Sequence, residues 1–331
     1  MNKSRLATIF NIKTNQEFEK TALEVFQFQA QNCAVYGEFI NLLKINVEQI
    51  NTIEKIPFLP IEFFKSHKVY KKGQNPQIVF SSSGTTGSAV SKHFVTDLSL
   101  YEMSFLHAFS IFYGNPKEYN ILALLPSYLE REGSSLVYMV NKLIELSDNK
   151  ESGFYLNEIG SLTDKLLLLD KHNKKTLLIG VSYALLDLIE KNQFFLKNTV
   201  IMETGGMKGK RKELVKEELH QVLRASFGVN TIHSEYGMTE LLSQAYSSGK
   251  GLYTCPPWMK VLIRETNDPY SYLAYQKSGG INVIDLANIN SCSFIATQDL
   301  GKLHKNGQFE VLGRFDNTDL RGCNLLLNVT V

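Results

Sequence analysis

The chain of 331 residues holds only 4 cysteines, 8 prolines and 1 tryptophan, and it has no excess of charge of one sign. Each scarcity excludes something. Cys33, Cys255, Cys292 and Cys323 stand far apart with no CxxC pair, which argues against a zinc site and against a disulfide framework. Reduced thiols fit the cytosol, so a cytoplasmic location is expected. The 35 basic and 33 acidic residues leave a net charge of +2, too little to recruit nucleic acid or an anionic membrane. The densest basic run, Lys208-Gly209-Lys210-Arg211-Lys212, precedes Glu213, Glu217 and Glu218 and reads as the solvated opening of a helix. No apolar run approaches the ~20 residues of a membrane span, and residues 1–15 hold no long apolar leader-like stretch. Repeats, low-complexity tracts and flexible linkers are also missing, which favours one domain over residues 1–331.

What is present is the composition of a globular enzyme, 44% hydrophobic and 21% charged. Between positions 16 and 44 no proline intervenes, and Phe18, Ala22, Val25, Phe26, Ala30 and Ala34 follow helical spacing. Val47, Ile50 and Ile53 suggest another short helix, so residues 1–55 read as a helical N-terminal segment. Short apolar runs at 78–80, 121–125, 176–179, 200–202 and 231–233 then alternate with helix-length segments at 98–113, 135–146, 183–191 and 210–226. Strands alternating with helices predict an α/β fold with a layered parallel sheet, whose strand-to-helix loops open on one edge where ligands collect. Beyond Trp258, strand-like runs at 260–264, 280–286, 293–297 and 308–312 predict a mainly β C-terminal subregion closing the site.

After the run at 78–80 comes Ser81-Ser82-Ser83-Gly84-Thr85-Thr86-Gly87. Glycines admit positive φ and close approach, while Ser and Thr add hydroxyl and amide donors. Such a loop suits nucleotide phosphates, and it equally suits an ordinary strand-to-helix turn. Further along stand His233-Ser234-Glu235-Tyr236-Gly237-Met238-Thr239-Glu240, then Thr297-Gln298-Asp299, then Gly313-Arg314-Phe315-Asp316-Asn317. In that order the four pieces resemble the adenylate-forming superfamily of acyl-CoA synthetases and luciferases. Ile56-Pro57-Phe58-Leu59-Pro60 with Phe63-Phe64-Lys65, Leu125-Pro126-Ser127-Tyr128-Leu129, Glu203-Thr204-Gly205-Gly206-Met207 and Asp319-Leu320-Arg321-Gly322-Cys323-Asn324-Leu325 narrow the likeness. They resemble the acyl-protein synthetase (LuxE) family, which supplies activated fatty acyl groups in luminous bacteria.

The resemblance implies ATP and Mg²⁺ as cofactors and a carboxylic, fatty acid as substrate. The acyl group would pass to a thiol or to an acyl-acceptor, reductase or transferase protein, with homo-oligomerisation left open. Ser83, Gly84, Thr85, Thr86 and Gly87 would surround the phosphates, Gly205, Gly206 and Tyr236 the adenine, and Asp299 the ribose, with Arg314 adding a donor to ribose or phosphate. Thr239 would touch the α-phosphate and Glu240 would hold the metal; a packed aromatic and a surface acid are the plain readings of Tyr236 and Glu240. The lysine expected just after the glycine loop falls later, at Lys92, and could equally be a surface residue. His93 and His233 are candidates for proton transfer or for structure. Cys323, beside Arg321, matches the cysteine that carries the acyl group in this family, and it could also be a buried small hydrophobe.

The residues from 314 to 331 read as a hinge-like tail. Most adenylate-forming enzymes continue for ~100 residues of a small domain bearing a catalytic lysine, whereas the last lysine here is Lys305. Most of that domain is therefore expected to be lacking. Two other readings stay open: a carboxylate–CoA ligase resembling phenylacetate-CoA ligase, and a non-catalytic nucleotide- or acyl-binding subunit.

Overall fold

The computed structural model describes residues 8–82, 90–126, 133–206, 211 and 214–315. The chain opens with α1 (Asn15–Asn32), α2 (Ala34–Leu42) and β1 (Leu59–Pro60), followed by a hairpin of β2 (Ile78–Ser81) and β3 (Lys92–Val95). Next come α3 (Leu98–Tyr113), β4 (Asn120–Leu124), α4 (Ser135–Ser147), β5 (Gly153–Phe154), α5 (Ile159–Lys171), β6 (Thr176–Val181), α6 (Ser182–Glu190), β7 (Thr199–Thr204) and α7 (Lys216–Phe227). The rest is mainly strand: β8 (His233–Tyr236), β9 (Ala245–Ser247), β10 (Met259–Arg264), β11 (Ser278–Asp285), β12 (Phe294–Leu303) and β13 (Phe309–Arg314).

β4 and β6 are buried at every position, as expected where both faces of a parallel sheet are covered. They lie in a six-stranded sheet of order β5-β4-β6-β7-β8-β9, parallel throughout except for β9, which runs antiparallel to β8. α3 buries Leu100, Tyr101, Phe105, Ala108 and Phe109 on one face. Its start is set by Asp97, which accepts the Ser99 amide at 3.1 Å, and its end by Gly114 at φ 87°, a conformation that costs little only without a Cβ. The second sheet has order β1-β12-β11-β10, with β13 paired to the outer half of β12. The α/β fold with a parallel sheet and a mainly β C-terminal region is thus the observed architecture.

Several expected boundaries move. The helix expected from 16 to 44 is two helices, because Cys33 is extended (φ −99°, ψ 110°) and bridges to Lys71. The chain then folds back so closely that a Cβ at Gly37 would lie 2.5 Å from the Ala30 carbonyl oxygen. The run at 78–80 does not join the parallel sheet; it pairs antiparallel with β3, so the element that follows β2 in the chain is a strand rather than the expected helix. α7 begins at Lys216 rather than 210, and Arg211 lies ahead of it, donating to Glu190 at 2.6 Å and to Asp187 on α6. β8 begins where the 231–233 run was expected to end.

Candidate active site

The carboxyl ends of β7 and β8 meet the second sheet at one point. Tyr236 closes β8, and its hydroxyl donates to Asp299 Oδ2 at 2.8 Å. Asp299 and Arg314 are register partners across β12 and β13, which brings Arg314 Nε within 3.2 Å of Asp299 Oδ1. The Tyr236 ring is buried, with Tyr253 and Phe309 at centroid distances of 5.8 and 5.5 Å. Burial, and then the Asp299 charge, holds its phenol far above the usual range. An ionised carboxylate has about four acceptor positions, so Asp299 keeps capacity for further donors after these two. Arg314 reaches it from solvent, its side chain 78% exposed.

The next four residues, 237–240, are held from below. His93 on β3 directs Nδ1 at the Thr239 carbonyl oxygen, 2.8 Å away. Asn288 donates its amide to the Glu240 carbonyl at 2.8 Å and to that of Cys292 at 3.0 Å. Two residues on, Asp285 accepts the amides of Leu242 and Ser243 at 2.8 and 2.9 Å and the Ser243 hydroxyl at 2.5 Å. Asp285 and Asn288 bracket a single turn after β11, so one turn fixes both halves of the loop. The Glu240 side chain is 5% exposed; burial pushes its carboxyl up, against the Ser91 hydroxyl hydrogen-bonded to it and the Arg314 charge.

That carboxyl fits the needs of magnesium with a nucleotide. Mg²⁺ takes one or two carboxylates and fills its shell with phosphate oxygens and water, and a buried, under-compensated carboxylate gains from a cation. Among the described residues no group of three or more His, Cys, Asp and Glu could hold a metal alone.

Ser91 sits at the base of the glycine loop, where its amide donates to Ser82 Oγ at 3.0 Å and its carbonyl accepts the Ser82 amide at 3.1 Å. Strand alternation puts Ser91, just ahead of β3, on the same side as His93, both buried, and Lys92 on the other, exposed. Lys92, expected at a phosphate, therefore does not face Glu240; Ser91 does, and no sequence pattern singled it out. His233 contacts the Tyr113 hydroxyl through Nδ1 at 3.1 Å, and burial lowers its pKa. Ser83, Gly84, Thr85, Thr86, Gly87 and Cys323 lie outside the described residues.

Gly205 and Gly206 are exposed at the end of β7, Gly205 at φ 58°. Just before them Glu203 is 3% exposed and accepts from Lys216 Nζ at 2.7 Å and Ser182 Oγ at 3.3 Å, with His220 Nε2 at 3.5 Å. Burial raises its pKa, but the Lys216 charge and the bonds from His220, Lys216 and Ser234 outweigh that and bring it to about 2. Lys216 also donates to the Tyr253 hydroxyl at 2.6 Å. Glu235, before Tyr236, accepts the Thr204 hydroxyl at 2.5 Å, and burial drives it to about 7. Its carboxylate explains the neighbouring glycine, since a Cβ at Gly237 would lie 2.5 Å from Glu235 Oε1.

The fold is that of adenylate-forming ligases. An ATP-bound chimera of RpMatB and BxBclM is similar over 71% of this chain and 47% of its own, with TM-score 0.55 and 16% identity. ATP-bound MatB from Rhodopseudomonas palustris is similar over the same shares, with TM-score 0.53 and 18% identity. An open 2-hydroxyisobutyryl-CoA ligase in complex with 2-HIB-AMP and CoA is similar over 92% of this chain and 72% of its own, with TM-score 0.64 and 11% identity. The chain thus spans about half the length of the first two. No curated protein matches it in sequence. Residues 7–331 match the family described as acyl-protein synthetase, LuxE, and the chain belongs to that family.

Proposed function

We propose that this protein uses ATP to activate a fatty carboxylic acid as its acyl adenylate and then passes the acyl group to a thiol, the sulfur of Cys323. The observation that carries the reading is the meeting of Tyr236, Asp299 and Arg314 beside the clamped Thr239–Glu240 loop. Asp299 would accept the ribose hydroxyls with its remaining lone pairs, and Gly205 and Gly206 would let the base approach beside Tyr236. The donors of the 83–87 loop would line the phosphates. Glu240 would share Mg²⁺ with phosphate oxygens, and the ion when bound screens their charge.

A substrate carboxylate oxygen then attacks the α-phosphorus, the bond from that phosphorus to the bridging oxygen breaks, and pyrophosphate leaves. The Thr239 hydroxyl would donate to the charge developing on the α-phosphate. In the second half a thiolate attacks the acyl carbonyl carbon, the carbon–oxygen bond to phosphate breaks, and AMP leaves with the electron pair. Cys33, Cys255 and Cys292 are poor candidates for that thiolate, since burial raises all three thiols and takes Cys255 to about 12. Cys323, beside Arg321 in sequence, is the cysteine to which the family resemblance assigns the role.

Incubation with ATP, MgCl₂ and radiolabelled fatty acid should leave a hydroxylamine-labile label on the protein. Cys323→Ala should lose the label and keep ATP–pyrophosphate exchange, because adenylation precedes transfer. A label that persists in Cys323→Ala sinks the thiol assignment. Free acyl-CoA on adding CoA, with no protein label, would make the enzyme a carboxylate–CoA ligase, and absence of exchange across a panel of acids would remove the adenylation reading.

A further inference from the structure

We infer that His93 is a positioning residue for the Thr239–Glu240 segment, locking the hairpin that carries the glycine loop to the loop that carries Glu240. The inference rests on the reading that Glu240 shares a magnesium ion with ATP. Two contacts join the two loops, and the other neighbour of the His93 ring is Asn288, which itself holds the Glu240 carbonyl. The Ser91 hydroxyl meets the Glu240 carboxyl, His93 Nδ1 meets the Thr239 carbonyl at 2.8 Å, and His93 Nε2 faces Asn288 Oδ1 at 3.1 Å. Asn288 cannot turn its amide over to suit the ring without giving up its bonds to the Glu240 and Cys292 carbonyls. Both ring nitrogens therefore face oxygen acceptors. A neutral imidazole carries one N–H, and the shorter contact assigns it to Nδ1, directed at Thr239.

His93 is 1% exposed, with the Phe64 ring edge-on to it at 5.6 Å, so it has no room to swing away. The carbonyls of Thr239 and Glu240 are thus pinned by two side chains from different elements, His93 and Asn288, neither of which occupies the Thr239 hydroxyl or the Glu240 carboxylate. Partners of this kind, acting behind a metal ligand, typically change metal affinity by about 10–100-fold when removed.

The test is the effect of magnesium on ATP binding, measured calorimetrically on the full chain in MgCl₂ and in EDTA. Glu240→Gln should collapse the ratio of the two affinities. His93→Phe, which keeps a ring and loses the donor, should lower that ratio about tenfold. His93→Asn, which restores a donor at the Nδ1 place, should recover the ratio. If Glu240→Gln leaves the ratio intact, the magnesium reading fails. If Glu240→Gln collapses it and His93→Phe does not lower it, the positioning role is overturned. Should His93→Phe fail to fold, ¹⁵N NMR of the unaltered protein decides: the Nδ1–H tautomer with a resonance that shifts on adding ATP and MgCl₂ supports the role, and the Nε2–H tautomer overturns it.

Discussion

Glu203 and Glu235 are buried carboxylates on neighbouring parallel strands, yet they ionise in opposite senses. Glu203 pairs with Ser234 and Thr204 with Glu235 in the β7–β8 register, and successive residues alternate faces, so the two acids leave opposite sides of the sheet. On one side α7 supplies Lys216 and His220, and α6 supplies Ser182. On the other side Glu235 lies among Tyr101, Tyr113 and Tyr246, close enough for its charge to raise their pKa values. Equal burial with a cation gives about 2; equal burial with one hydroxyl donor gives about 7. Which helix covers which face decides the charge, and the residue type does not.

The sharpest way to break the comparison is to remove the cation. Lys216→Met should destabilise the protein by about 3 kcal/mol at pH 7, because it strands a buried carboxylate beside His220. The double variant with Glu203→Gln should recover most of that loss in urea melts. If Lys216→Met costs nothing, Glu203 does not depend on its ion pair.

Next in size is the pH dependence of Glu235. The unfolded chain loses this proton near the ordinary carboxylate value of 4.5 and the folded chain only near 7, so stability falls as pH rises between those values and stays lower above them. Glu235→Gln should therefore stabilise by up to about 3 kcal/mol at pH 8 and by almost nothing at pH 4. A benefit that does not change with pH would contradict the shift. Glu203 works in the other direction: its contribution is present above 4.5 and is lost as pH falls toward 2.

The smallest effect concerns the glycine two residues after Glu235. Gly237→Ala should cost about 1 kcal/mol, since its Cβ meets the Glu235 carboxylate. In a Glu235→Ala background the cost should shrink, because the atom it meets is gone. Additive costs would place the strain elsewhere.

Much of this was legible in the chain. β4, β6 and β7 follow apolar runs, and α3 spans the expected residues, because long or fully buried segments advertise themselves by hydrophobic spacing. β3 was not legible: Lys92-His93-Phe94-Val95 is a short run whose strand character comes from pairing with β2 across the glycine loop. α5 was missed too, although Leu162, Leu166 and Leu169 are buried at helical spacing. Tyr236, Asp299 and Arg314 stood out as motif members, whereas no local pattern states the β12–β13 register that brings Arg314 to Asp299 or the approach of β8 that brings Tyr236 to it.

The sequence by itself determined the alternation of strands and helices, the β-rich C-terminal region and the family, since these rest on local periodicity and short motifs. Only the tertiary structure decided that His93, Asn288 and Asp285 hold the loop behind Glu240, that Ser91 rather than Lys92 faces it, and that Glu203 and Glu235 differ. Those outcomes depend on hydrogen bonds and charges between residues far apart in the chain, such as the 195 positions separating His93 from Asn288. Contacts at that range are set by packing, and burial then gives each unpaired charge its cost.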